Sequence, residues 1–269
     1  MNKFAELFKS NEEGMINKFD HYFEIYNRHL EKFFDKEVHV LEIGVYEGGS
    51  LQLWRKCFGA ASHIYGVDVN PLCKEFESKD ENIKVYIGDQ GDRSFLQTLS
   101  DDIPTIDILI DDGGHTMKQQ IATFEVFYPK LSENGVYICE DTHTSYDPYH
   151  GGGYRKKDTF IEYCKNLIDK ENAWQSNSSK LKVDEFTTST HSITFYSGIV
   201  VFEKRKVSKP FAIQSGKRIF NTEDFQKDTS GKIKILRFIL KKIPFVKTTF
   251  RNSKILQNIY GRLNYLFSK

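Results

Sequence analysis

Along residues 1–204, short apolar runs alternate with longer stretches of helical spacing. VHVLEIG (38–44), HIYGVDV (63–69), IKVYIG (83–88), TIDILID (105–111) and GVYICE (135–140) have the near-continuous apolar character of strands covered on both faces. SLQLWRKCF, after Gly48-Gly49, and MKQQIATFEVFYPKL, after Gly113-Gly114, read as helices. In KDTFIEYCKNLID (157–169), Phe160, Ile161, Cys164, Leu167 and Ile168 recur at helical spacing. SITFY and IVVFE flank Ser197-Gly198, a two-residue hairpin signal. Residues 1–36 read as a helical lead-in. The alternation predicts an α/β fold: a mainly parallel sheet with helices on both faces, closed by an antiparallel hairpin.

Composition adds little at first. The 269 residues are 39% hydrophobic and 28% charged, which excludes wholesale disorder and a disulfide scaffold. Cys57, Cys73, Cys139 and Cys164 form no CxxC pair, as expected of reduced, mostly buried thiols. No apolar run is long enough to span a bilayer, and MNKFAELFKSNEEG is too polar for a signal-peptide core, so a cytoplasmic location is expected.

Charge changes the picture. The net +1 conceals a division. Residues 205–269 hold 16 Lys/Arg against 3 Asp/Glu, hence +13, and residues 1–204 hold 22 against 34, hence −12. Three parts are expected: the lead-in 1–36, an α/β domain 37–204, and a basic, mostly helical extension 205–269. Within the extension, 232–243 and 254–267 each present one apolar face. Peripheral contact with an anionic membrane through 232–267 is one reading. Docking on the acidic body or on a second copy, in a homo-oligomer, is another. Nucleic acid is not expected, because no reader motif accompanies the charge.

Ligands on such sheets bind at the carboxyl ends of the strands. After the first strand, Glu42-Ile43-Gly44-Val45-Tyr46-Glu47-Gly48-Gly49-Ser50 lacks the GxGxxG spacing of dinucleotide binders, and Glu47 disfavours a pyrophosphate. Asp68 ends the second strand, where a carboxylate suits ribose hydroxyls; Asp89-Gln90 follow the third, where a polar pair can meet an adenine edge. Strand four ends Asp111-Asp112-Gly113-Gly114-His115, and strand five ends Glu140-Asp141-Thr142-His143. Four carboxylates on adjacent strand ends call for a cation, and their hard oxygens favour Mg²⁺ or Mn²⁺. Helix capping by Asp112 or His115 is the plainer alternative. Tyr146, Tyr149, His150 and the Gly151–Tyr154 loop suit a lid that stacks on a sugar face, or an ordinary surface loop.

These segments resemble class I S-adenosylmethionine-dependent methyltransferases. Within them the chain is similar to the metal-dependent sugar O-methyltransferases of macrolide deoxysugar and bacterial polysaccharide pathways. LEIGVYEGGS (41–50), IDDGGH (110–115), CEDTHTSY (139–146), GGGY (151–154), ITFYSGIVVFEK (193–204) and the lead-in DHYFEIY (20–26) carry the likeness. It implies a Rossmann-like, seven-stranded sheet and methylation of a sugar hydroxyl in a surface glycan or glycosylated natural product, with S-adenosyl-L-methionine and Mg²⁺ (or Mn²⁺) as cofactors. It implies metal ligands Asp112, Glu140 and Asp141, with His115 as general base. Cofactor contacts are expected from Glu42, Gly44, Ser50, Asp68, Asp89, Gln90 and Asp111, and saccharide contacts from His143, Tyr146, Tyr149 and Tyr154. His21, Tyr22 and Tyr26 are read as packing residues, with closure of the cofactor side as the alternative. A catechol-like acceptor also offers two vicinal oxygens to a metal, and a non-catalytic membrane or partner adaptor is the reading from another class. Peripheral association would lie at the inner face of the plasma membrane.

Overall fold

The computed structural model describes residues 2–219. The chain divides into two units, Met1–Lys209 and Pro210–Lys269. In the second, the described residues 210–219 form no helix or strand, and the segments 232–243 and 254–267 lie outside the described residues.

The first unit begins with α1 (Lys3–Lys9) and α2 (Tyr22–Leu30). Between them, residues 11–19 form no helix, unlike the helical lead-in expected from sequence. There follow β1 (His39–Ile43), α3 (Gly49–Phe58), β2 (His63–Asp68), β3 (Ile83–Ile87), α4 (Arg93–Asp102), β4 (Ile106–Asp111), α5 (Met117–Phe127) and β5 (Leu131–Cys139). Then come α6 (Phe160–Glu171), the short α7 (Glu185–Ser189), β6 (Thr190–Phe195) and β7 (Val200–Lys204). The seven strands run in the order β3-β2-β1-β4-β5-β7-β6. The first five are mutually parallel, and β7 is antiparallel to both β5 and β6. Backbone bonds from Arg205 to Ser189 and from Val207 to Thr188 carry the unit past β7.

Each face of the sheet has its own core. Val40, Ile64, Ile108 and Ile138 meet Phe4, Tyr26 and Trp54 of α1, α2 and α3. Leu41, Val67, Leu109 and Tyr137 meet Leu96, Phe124 and Phe160 of α4, α5 and α6. Period-two alternation divides each strand between these layers, so both must be apolar. The helix α4, unremarked in the apolar pattern, starts on Asp92, whose carboxylate accepts from Ser94 N and Phe95 N. All four cysteines are buried and free. Among the described residues no helix is long and apolar enough to cross a membrane.

Candidate active site

Register brings the strand ends level. Ile43 pairs with Val67 and with Asp111, and Asp111 pairs with Cys139. The residues just past the ladder, Gly44, Asp112 and Glu140, therefore stand side by side, with Asp68 adjacent. Strand order reverses between β1 and β4, and a crevice opens at such a point. Here it is a cavity of about 740 Å³, a size that suits a small-molecule cofactor. Gly44, Ser50, Asp68, Asp89, Gln90 and Asp112 line it, with His115 and Asp141 at the same mouth.

The backbone is bent to make this space. Gly44 has φ 96°, and a Cβ there would fall 2.1 Å from the Asp112 carbonyl oxygen, so only glycine lets the first loop lie against the fourth. Tyr46, His115 and Asp141 also take left-handed backbone, with φ of 51°, 55° and 51°. Such conformations cost free energy in residues with a Cβ and concentrate at functional sites. Neither Asp112 nor His115 caps α5: Thr116 accepts from Gln119 N in a capping box, which leaves both side chains to the cavity.

Asp112, His115 and Asp141 can bring one donor atom each within 4.8 Å of one another. His115 Nε2 lies 3.5 Å from Asp141 Oδ2 and 3.8 Å from Asp112 Oδ1. Burial lowers the His115 pKa against the pull of Asp112 and Asp141, so the ring is neutral near pH 7. Its Nδ1 is buried without a hydrogen-bond partner. The two carboxylates supply the hard oxygen donors that fit a divalent cation, and the imidazole Nε2 stands beside them as a base rather than as a ligand.

Glu140 stands apart from that trio. Its carboxylate is buried and accepts from Tyr26 Oη at 2.6 Å and from Lys18 Nζ at 2.8 Å. Lys18 also bonds Asp112, and Tyr22 Oη donates to Asp141 Oδ1 at 2.7 Å. Burial opposes the charge on Lys18, yet Glu140, Asp112 and Glu42 outweigh it and hold the ammonium above the usual lysine range. Burial pushes the Glu140 carboxyl up, with Lys18 opposing.

The cofactor positions divide in two. Asp68 lines the cavity while its Oδ2 accepts from Val45 N and Tyr46 N at 2.9 and 3.0 Å. Asp89 lines it and fixes its own turn through Gly91 N. Ser50 lines it and donates to Glu42 at 2.7 Å. Gln90 reaches the wall, but its amide is spent on Asp111, Thr123 and the Gly114 N–H.

Glu42 and Asp111, also expected at the cofactor, stand behind the cavity wall. Both lie within strands and point into the two cores. Glu42 faces α3, and burial raises its pKa to about 7. Asp111 accepts from Tyr137 Oη and Gln90 Nε2, and burial raises it likewise to about 7. Neither lines the cavity; each braces a residue that does.

The expected saccharide residues sit outside the cavity. Tyr146, Tyr149 and Tyr154 are exposed beyond β5, and His143 packs edge-on against Phe19 at 5.8 Å. Sequence reasoning missed Lys18, and weighed Tyr22 and Tyr26 for closure of the cofactor side only as the alternative to packing. The one available signal for Lys18 was a charge between the apolar Ile16 and Phe19.

Residues 41–142 match the protein family described as Methyltransferase domain (Methyltransf_24). The 8-demethyl-8-alpha-L-rhamnosyl tetracenomycin-C 2'-O-methyltransferase of Streptomyces olivaceus is 36% identical over 152 residues, covering 54% of this chain and 39% of the relative. The mycinamicin VI 2''-O-methyltransferase of Micromonospora griseorubida is 34% identical over 154 residues, covering 54% and 38%. The chain thus spans about two fifths of the length of these curated relatives. The solved MycE methyltransferase of the mycinamycin biosynthetic pathway, in complex with Mg, SAH and mycinamycin VI, superposes with a TM-score of 0.70 at 25% identity, covering 84% of this chain and 59% of that one.

Proposed function

From the methyltransferase domain at residues 41–142, we propose that this chain is an S-adenosylmethionine-dependent, divalent-metal-dependent O-methyltransferase. Its acceptor is a sugar hydroxyl of a glycosylated natural product or surface glycan, as the names of the relatives suggest. The observation that carries the reading is the convergence of Asp112, His115 and Asp141 at the mouth of the cavity between the ends of β1 and β4.

Methyl transfer is an in-line displacement, so the protein's task is mainly alignment and removal of one proton. The cofactor supplies an electrophilic methyl group on a sulfonium, and a divalent cation supplies charge that favours ionisation of the acceptor hydroxyl. Asp68 accepts from Val45 N and Tyr46 N at Oδ2 and from Asn70 N at Oδ1, which leaves one acceptor position on Oδ1 for a ribose hydroxyl, and Asp89 lines the same wall. Asp112 and Asp141 hold the cation, with Glu140 behind them as the third carboxylate. His115, neutral at physiological pH, takes the hydroxyl proton at Nε2. The exposed tyrosines beyond β5 suit stacking on a sugar face. The basic extension 205–269, of net charge +13, supports peripheral contact with an anionic membrane.

The test is incubation with labelled S-adenosylmethionine and a panel of glycosides and nucleotide sugars, with and without chelator. Chelator-sensitive label transfer to a sugar is expected. Full transfer after exhaustive chelation overturns the metal requirement, and transfer confined to catechols overturns the acceptor class. Vesicle co-sedimentation that survives removal of 205–269 overturns the membrane reading.

A further inference from the structure

Lys18 lies in the irregular segment that joins α1 to α2. Its side chain is 3% exposed, and Nζ bonds the carboxylates of both Asp112 and Glu140. A buried ammonium is tolerated only when opposite charges surround it, and here the chain's own lysine meets the demand of the acidic cluster. Asp112 is the pivot: it belongs both to this ion pair and to the trio with His115 and Asp141.

The segment that carries Lys18 also roofs the cofactor cavity. Met15, Ile16 and Asn17 line that cavity beside Lys18. The segment is seated closely on the first loop: a Cβ on Gly14 would fall 1.8 Å from the Glu47 carbonyl oxygen, and one on Gly49 would fall 2.0 Å from that of Gly14. Lys18 thus belongs both to the wall of this cavity and to the ion pair.

We infer that Lys18 is an exchangeable internal cation: it neutralises Asp112 and Glu140 in the metal-free chain, and a divalent ion takes its seat on Asp112 as the ammonium withdraws. The inference rests on the metal reading above. Like charges repel strongly at this separation and burial, so the two cations compete for the same carboxylates. Because Lys18 also lines the cavity, withdrawal of its ammonium changes that wall and couples the cation site to the cavity.

The experiment uses the full chain with Mn²⁺ as the probe. Amine acylation read by mass spectrometry should find Lys18 protected in chelator and labelled several-fold more when Mn²⁺ is present. Lys18→Met should bind Mn²⁺ about tenfold more tightly by calorimetry, a typical coupling between linked sites. Should Lys18→Met fail to fold, labelling of the unaltered chain decides alone. If the unaltered chain binds no Mn²⁺, the metal reading falls and the exchange with it. If Mn²⁺ binds while Lys18 stays protected, or Lys18→Met binds it no more tightly, the exchange is overturned and the metal reading stands.

Discussion

Tyr26 donates a hydrogen bond of 2.6 Å to Glu140 across 114 residues of sequence, so the first long helix holds a carboxylate at the end of the fifth strand. The ring of Tyr26 is set edge-on against Trp54 at 5.4 Å and Phe4 at 5.7 Å, which fixes where the hydroxyl points. Tyr26→Phe keeps that packing and removes only the donor. It should cost about 1–3 kcal/mol, the penalty for a buried acceptor losing a partner. Urea unfolding should give a lower midpoint with an unchanged slope. A changed slope would mean that packing was disturbed as well.

Asp68 faces the cavity and also ties down Val45 N and Tyr46 N. Asp68→Ala should weaken binding of S-adenosylhomocysteine by about 1.5–3 kcal/mol, the worth of hydrogen bonds to a charged group. Calorimetry checks this, and an affinity within twofold of the parent chain would remove Asp68 from the cofactor site.

His115 should dominate turnover. Its Nε2 faces the carboxylates of Asp112 and Asp141, whereas the His143 side chain is 53% exposed beside Phe19. His115→Ala should lower kcat by about 10²–10⁴, the usual contribution of a positioned proton acceptor. His143→Ala should lower it far less. Steady-state kinetics on one acceptor would reverse the assignment if the His143 variant were the slower.

Acid stability should depend on Glu203. Its hydrogen bond with His29, aided by Ser192 and Lys32, holds its pKa at about 2, below the ordinary 4.5. A depressed carboxylate binds fewer protons folded than unfolded. Its stabilisation is therefore present above about pH 4.5 and disappears as pH falls toward 2. Glu203→Gln should be less stable at neutral pH by about 1 kcal/mol, the scale of a partly exposed ion pair. It should also lose less stability than the parent chain across that window in pH-resolved thermal melts. Parallel profiles would show that Glu203 carries no such linkage.

Most of the sheet and the order of its ends were legible in the sequence, because strands covered on both faces are apolar almost throughout. The residues at the cavity mouth were legible for a related reason. Asp112 and Asp141 lie beyond the last ladder pair and reach the cavity, whereas Glu140, between β5 and Asp141, is buried against Tyr26. Glu42 and Asp111 lie one or two residues earlier, where the pleat still directs side chains into the helix layers. Lys18 was illegible because it sits in an irregular segment with no periodicity, and its partners are 94 and 122 residues away. Tyr22 and Tyr26 were legible as packing residues, which they are; their hydroxyls are a second property that helical spacing does not encode.

The long reach of the N-terminal helix also sets a timetable for assembly. Tyr22 emerges during synthesis 119 residues before Asp141 and 176 before Gly198, whose carbonyl oxygen it also approaches at 3.2 Å. The strand β7 that completes the sheet beside β5 is made last of all. Phe4 and Trp54 can cover the Tyr26 ring early, but the hydroxyls of Tyr22 and Tyr26 meet their carboxylate partners only after β5 has emerged, and contacts of such sequence separation form slowly. The mouth of the cavity, where α2 meets the ends of β4 and β5, thus closes only through contacts of long sequence separation.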